Sequence, residues 1–366
     1  MEKLETYICK NRRGTQKVKI EYAWHGEMFS NTRALFYDVP TKDEDRKVFA
    51  FISYPETKRP KNGYPAVLLI HGGNGTAFYE MSKLWSERGY VVIAPDYNNH
   101  YAKDINLRII ENEKVNIRGY GSFNDYNTEN PWAYFSCLSS MRAIDILYSD
   151  ESVDKSKIYS CGVSWGGVVN LLLLSQEKRI NAGSIIYSSA FLSDSEWAHT
   201  KKVCGDFSEK EWEEYNEYID PKNYIKKISC PVFFTAGTDD VAFTMENRRK
   251  TTELIDADKY FGYRLAFPHG NFIGFEQIET DLFFKNFERK DKRLKVIFKK
   301  VKNRIFVKGK GDYFIVETNE ESNKKDILIW TKTKFKRSTV IKNDTKTFFI
   351  VREYKGTKFS SDIYVI

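Results

Sequence analysis

Gly162-Val163-Ser164-Trp165-Gly166-Gly167 lies between two telling flanks. Before it runs Lys157-Ile158-Tyr159-Ser160-Cys161, a short β-prone segment. After it runs Val168-Val169-Asn170-Leu171-Leu172-Leu173-Leu174-Ser175, apolar and long enough to begin a helix. Strand, Gly-x-Ser-x-Gly, helix is the layout of a nucleophile elbow. The turn is so tight that the neighbours of the serine must be small. It lifts the Ser164 hydroxyl above the strand ends, and the helix that follows points its partial positive charge at a developing oxyanion. The pentapeptide alone carries little weight; the flanks carry the reading.

Working outward, strands and helices alternate. Val48–Tyr54 reads as a strand closed by Pro55. Tyr64-Pro65-Ala66-Val67-Leu68-Leu69-Ile70 is a continuous apolar run, as expected of a strand buried on both faces, and it ends in His71-Gly72-Gly73-Asn74-Gly75. A helix pattern covers Ala77–Arg88, with Gly89 as its cap, before the strand Tyr90–Pro95. Asp96–Pro131 is a long polar excursion, a length that usually carries function. Trp132–Tyr148 reads as a helix leading to the elbow. Beyond it come a strand at Ala182–Tyr187 and an aromatic-rich insertion at about 191–224 containing Trp197, Phe207, Trp212, Tyr215, Tyr218 and Tyr224. Then follow a strand at Pro231–Ala236, a helix at Thr244–Ile255, a strand at Tyr263–Phe267 and a closing helix at Ile278–Phe287. The alternation predicts an α/β fold with a doubly wound, mostly parallel sheet.

The last 78 residues differ. Residues 289–366 carry 22 Lys+Arg and 9 Asp+Glu, a net +13, whereas the preceding residues are net −5. Short β-branched or aromatic runs at 296–298, 305–307, 313–316, 327–330, 347–351 and 363–365 are separated by Lys, Gly, Asn and Asp. That spacing predicts a small all-β, sandwich-like domain. The expected division is a lead-in over 1–45 with one or two short strands, a catalytic domain over 46–288, and the basic β-domain over 289–366. The lysines of that domain are interspersed along the strands, which reads as a solvated face, so no nucleic acid is expected as a partner.

Five cysteines, without a CxxC, read as free thiols in a reducing compartment. The first residues lack a signal peptide's apolar run, and no stretch approaches the length of a membrane span. Both point to the cytoplasm. No His/Cys cluster has metal-ligand spacing, so neither metal nor cofactor is required. Oligomeric state is not legible in the chain.

The chemistry gathers just after predicted strands, where ligands bind in sheets of this type. Four segments qualify: the 71–75 loop, Ser164, Asp239-Asp240 and His269. Ser164 is the expected nucleophile. His269 is the expected base, since of the five histidines only it and His71 directly follow a predicted strand, and His71 opens the glycine-rich loop. His25, His100 and His199 read as ordinary polar positions. Gly237-Thr238-Asp239-Asp240 offers two carboxylates, only one of which can face the imidazole. The glycines of 71–75 allow close backbone approach, so the N–H groups of Gly73 or Asn74, with that of Trp165, are the expected oxyanion donors.

These residues bring a family into view. Ile70–Phe78, Trp85–Tyr90, Gly162–Gly167, Ala236–Phe243 and Pro268-His269-Gly270 together resemble the α/β-hydrolase superfamily over about residues 45–288. Within it, the chain resembles the acetyl xylan esterases and dienelactone-hydrolase-like serine esterases. The resemblance implies a Ser…Asp…His triad, with the acid third after the glycine of Gly-x-x-Asp, which is Asp240. It implies two-step transfer of acetyl or other short acyl groups from sugar esters through an acyl-Ser164 intermediate. Residues 327–361 look similar to a C-terminal β-module that some bacterial members carry. Family members that act on polysaccharide are often secreted; without a visible signal, oligosaccharides or small esters are the expected substrates. Two other readings share the same residues: a serine peptidase or amidase using the same triad, and a binding protein that keeps the fold without the chemistry.

Overall fold

In the computed structural model, residues 2–12, 18–23, 31–41, 45–98, 127–194, 208–240, 242–321 and 328–366 are described. In chain order the regular elements are α1 (Leu4–Asn11), β1 (Ile20–Ala23), β2 (Thr32–Pro40), β3 (Asp45–Ser53), β4 (Tyr64–Ile70), α2 (Tyr79–Glu87), β5 (Val91–Asp96), α3 (Trp132–Ser149), β6 (Val153–Val163), α4 (Trp165–Gln176), β7 (Ala182–Ile186), α5 (Glu209–Ile219), β8 (Val232–Thr235), α6 (Met245–Glu253), β9 (Lys259–Phe261), α7 (Asn271–Phe275) and α8 (Ile278–Asn286). The C-terminal strands are β10 (Phe298–Val301), β11 (Arg304–Val307), β12 (Asp312–Thr318), β13 (Thr331–Phe335), β14 (Ser338–Val340), β15 (Thr347–Tyr354), β16 (Thr357–Ser360) and β17 (Tyr364–Val365).

The main sheet runs β1-β2-β3-β5-β4-β6-β7-β8-β9 and continues β16-β15-β12-β13. Strands β5, β4, β6, β7, β8 and β9 are mutually parallel. Parallel strands covered by helices on both faces need apolar residues on both, and β7 and β8 are buried at every position. Crossovers between parallel strands are right-handed. The crossover through α2 leads from β4 to β5, and the one through α4 leads from β6 the opposite way to β7. The two helices therefore cover opposite faces. The reversal falls between the adjacent strands β4 and β6, and the crevice beyond their carboxyl ends is where a ligand fits in such a sheet. The His71 loop and Ser164 stand at those two ends.

Among the described residues, the structure departs from the sequence reading at several points. The N-terminal segment holds more order than its polar composition suggests: β2 spans nine residues and pairs antiparallel with β3 from Thr32↔Ser53 to Pro40↔Asp45. Its Ala34, Leu35, Phe36 and Tyr37 are buried on both faces, so no alternation announces the strand. The last parallel strand is β9, not Tyr263–Phe267. Beyond Gly262 the chain keeps only an isolated bridge, Gly237↔Arg264, because Ala266 takes a left-handed φ of 47° and curls the backbone away. The strand expected at 327–330 begins instead at Thr331.

The C-terminal strands form a sandwich with two cores. Strand β16 joins the main sheet by the pair Ser360↔Phe261, and β10, β11 and β14 form a separate three-stranded sheet. Along β15 the period of two sorts the side chains. Phe348 and Ile350 join Ile305, Tyr313, Ile315, Phe335 and Ile341 in a small cluster. Phe349 and Val351 turn to the other face and join the core of the α/β domain. Among the described residues, no helix is long and apolar enough to cross a membrane. Most of the Asp96–Pro131 excursion lies outside the described residues, as do Trp197, Phe207, Cys204, His25, His100 and His199.

Candidate active site

Strand β6 delivers Ser164 at its carboxyl end with φ 57° and ψ −126°, a conformation that L-residues avoid. The geometry around it explains the glycines. A Cβ at Gly162 would overlap the Gly166 carbonyl oxygen, and a Cβ at Gly166 would overlap the carbonyl oxygens of Ile70 and His71. A Cβ at Gly167 would overlap the Ser188 side chain. The bend is held by the Ser164 N–H on the Ile186 carbonyl (2.8 Å), and by the Ser164 carbonyl, which accepts from the N–H groups of Gly167 (2.8 Å) and Val168 (3.3 Å). Ser164 is partly exposed, and Trp165 opens α4 directly after it.

After β8 the two adjacent aspartates part. Asp239 is exposed and accepts a hydrogen bond from the Phe267 N–H at 2.9 Å. Asp240 is buried, and its Oδ1 lies 3.2 Å from His269 Nδ1. The same oxygen accepts the N–H groups of Ala242 (3.0 Å) and Phe243 (3.3 Å), while Oδ2 pairs with the Arg248 guanidinium. Burial raises the Asp240 pKa, but Arg248, His269 and the Phe243 N–H outweigh it, so the carboxyl sits below its ordinary range. A carboxylate facing Nδ1 fixes the proton there and leaves Nε2 as an acceptor. The His269 side chain is 30% exposed and lies against the Tyr187 ring (centroids 5.0 Å apart) and the Phe243 ring (6.4 Å). No hydrogen bond joins Ser164 to His269 among the described residues; in a substrate-free site such contacts are commonly looser.

The loop after β4 is pinned from several sides. His71 Nε2 accepts the Tyr97 N–H (3.0 Å), so Nδ1 carries the proton and donates to the Gly72 carbonyl (2.6 Å). That makes His71 a neutral structural imidazole. The Gly72 carbonyl also accepts from the Gly75 N–H (2.9 Å). Asn98 Nδ2 donates to the carbonyls of Gly73 (2.8 Å) and Gly75 (3.1 Å), and Asn98 Oδ1 accepts from the Trp132 indole (2.9 Å). In a trans peptide C=O and N–H point opposite ways. Fixing the Gly72 and Gly73 carbonyls thus turns the N–H groups of Gly73 and Asn74 away from the loop interior, and neither has a hydrogen-bond partner among the described residues.

Three segments meet at Gly72. Its N–H donates to Asn271 Oδ1 at 3.0 Å, and a Cβ built on it would lie 3.3 Å from Ser164 Cβ. The structure therefore gathers the 71–75 loop, the elbow and the 269–271 segment at one end of the sheet, and brings Asp240 to His269. Trp132 is buried and supports Asn98 through its indole N–H. Sequence reasoning passed over Arg248, Asn271 and Asn98. Asn271, two residues past His269, had a positional signal, whereas Arg248 reads as one more cation in a basic helix. Among the described residues, no group of three His, Cys, Asp or Glu side chains could hold a metal ion.

A serine on a strained elbow, an acceptor nitrogen on a carboxylate-held imidazole, and N–H groups without a partner among the described residues lie at one switch point, a set suited to acyl transfer. Comparison with known proteins agrees with the fold. The acetyl xylan esterase from Paenibacillus sp. R4 superposes with a TM-score of 0.59 at 14% identity, covering 78% of this chain and 92% of that one. Acetyl xylan esterase 1 from Thermoanaerobacterium sp. JW/SL YS485 gives 0.56 at 18% identity, covering 77% and 92%. Among curated proteins, the probable dipeptidyl-peptidase 5 of Emericella nidulans is 24% identical over 174 residues, which are 44% of this chain. The match spans only 22% of that relative's length. The family model for dienelactone hydrolases matches residues 54–261, more than half of the chain, and the protein belongs to the dienelactone hydrolase family.

Proposed function

We propose that this hydrolase is a serine esterase that releases short acyl groups, acetyl above all, from small or oligosaccharide esters. Ser164 Oγ attacks the acyl carbonyl while His269 Nε2 takes its proton. Asp240 holds the imidazole and stabilises its charged form. The N–H groups of Gly73, Asn74 and Trp165 receive the oxyanion. His269 then protonates the leaving alcohol, and water clears the acyl-Ser164 ester by the same steps in reverse. The observation that carries the reading is the 3.2 Å pair of Asp240 and His269 at the same sheet end as the strained Ser164. The acetyl preference rests on the likeness to acetyl xylan esterases. A cytoplasmic setting belongs to the same reading, on the free thiols of Cys9, Cys137, Cys161 and Cys230.

Initial rates on p-nitrophenyl acetate, butyrate and octanoate, with Ser164→Ala in parallel, test it. The reading expects the fastest turnover on acetate and loss of that rate in the variant. A preference for octanoate would discard the sugar-ester assignment, and a rate independent of Ser164 would discard the mechanism. A peptidase reading has one observation in its favour, the similarity to a probable dipeptidyl-peptidase. Cleavage of dipeptidyl p-nitroanilides faster than p-nitrophenyl acetate would install it instead.

A further inference from the structure

The Asp240 carboxylate divides its two oxygens between two partners. Oδ1 faces His269, and Oδ2 faces Arg248 on α6. Both members of the Arg248–Asp240 pair have side chains only 1% exposed. Arg248 Nη1 reaches toward the Gly237 carbonyl and Met245 Sδ, each at 3.5 Å, and its Nε is buried without a hydrogen-bond partner among the described residues. Such a pair is costly to bury and is weak evidence for stability. The next residue, Arg249, shows the ordinary alternative, lying at the surface against Glu246 and Glu253. Among the described residues, the charged groups acting on Asp240 are Arg248 from α6 and His269 from the segment after β9; Tyr187 after β7 feels Asp240 together with Asp239, Arg248 and Arg264. Of these, Arg248 is the cation in direct contact with the carboxylate.

We propose that Arg248 is a positioning residue for the general base, acting through Asp240 and resting on the triad reading above. Its guanidinium keeps Asp240 ionised as the pH falls and holds the carboxylate plane so that Oδ1 stays on His269 Nδ1. Without that cation, Asp240 takes up a proton from solvent at higher pH. A protonated Asp240 is a weaker acceptor for Nδ1–H and brings no negative charge to the imidazolium, so the tautomer and orientation of the imidazole are held less firmly.

The test is the pH dependence of kcat/KM on p-nitrophenyl acetate for wild type, Arg248→Met, Arg248→Gln and Arg248→Lys, with fluorophosphonate labelling of Ser164 and circular dichroism on each. For the Met and Gln variants, the deficit relative to wild type should be about tenfold larger at pH 5.5 than at pH 8.5. Arg248→Lys, which keeps the cation, should hold a deficit that is flat with pH. A flat deficit in all three would overturn the proposal and leave Arg248 a packing residue. Failure of every variant to fold would overturn it too, since Lys supplies the charge that the proposal requires. If instead wild type is not labelled at Ser164, or Ser164→Ala keeps its rate, the triad reading itself falls. Labelling with a flat deficit removes only the role of Arg248.

Discussion

Asn271 Oδ1 accepts the Gly72 N–H at 3.0 Å, so the segment carrying His269 is tied to the loop lying against Ser164. The segment of the proposed base and the proposed oxyanion loop are therefore joined by one hydrogen bond that takes no part in either group's chemistry. Asn271→Ala leaves the part-buried Gly72 N–H unpaired, a loss of about 1–3 kcal/mol. If the loop loosens by that amount, kcat on p-nitrophenyl acetate should fall about tenfold or more with little change in KM. Steady-state kinetics check it; an unchanged kcat would show that Asn98 and His71 suffice to hold the loop.

The backbone of Ser164 makes a separate prediction. A non-glycine residue at φ 57° and ψ −126° costs about 1–3 kcal/mol. Ser164→Gly should relieve that strain, less about 0.5–1 kcal/mol for glycine's greater chain entropy. Ser164→Ala removes the hydroxyl and keeps the strain. Both should be inactive, and thermal unfolding should rank Ser164→Gly above Ser164→Ala. The opposite order would mean that the elbow is unstrained.

Asp362 gives a pH prediction far from the active site. Burial pushes its carboxyl up to about 6, against hydrogen bonds from the Ile363 N–H and the Thr252 hydroxyl. A raised folded value means that the folded chain binds the extra proton between roughly pH 4 and 6. The stability it contributes is complete below about pH 4 and is lost as the pH rises through 6. Asp362→Asn keeps an acceptor and cannot ionise. It should stabilise the protein by up to about 3 kcal/mol at pH 8 and by almost nothing at pH 4. Unfolding midpoints at the two pH values decide it; equal effects at both would remove the titration argument.

The C-terminal strands should not be separable without cost. Phe359 packs on Phe233 (5.9 Å), Phe349 on Tyr263 (6.1 Å), and Ser360 Oγ accepts the Tyr263 N–H (2.9 Å). A chain ending at Lys290 exposes Phe233, Tyr263 and the edge of β9. Removing even one buried Phe side chain from a core costs about 3–5 kcal/mol. We expect the shortened chain to aggregate, or to melt roughly 10 °C or more below the full chain. Equal midpoints would show the α/β part to be self-sufficient.

Much of this protein is legible along the chain because its signals are local. The apolar run Tyr64–Ile70 became β4 with the same bounds, and the Trp132–Tyr148 pattern became α3 with one residue more. The elbow is readable because a backbone that tight excludes any Cβ at 162 or 166, and glycine is the signature of that exclusion. One or two short strands are expected in the lead-in, but the sequence neither places β2 there nor gives it its nine-residue length, because burial on both faces erases the period of two. Asp239 and Asp240 are chemically identical and adjacent in the chain. Only folding points one at the Phe267 N–H and the other at His269. The buried Arg248, the Asn271 link and the pairing of β16 with β9 likewise join residues distant in sequence. Such pairings depend on which surfaces meet when the sheet is complete, and no local pattern encodes that.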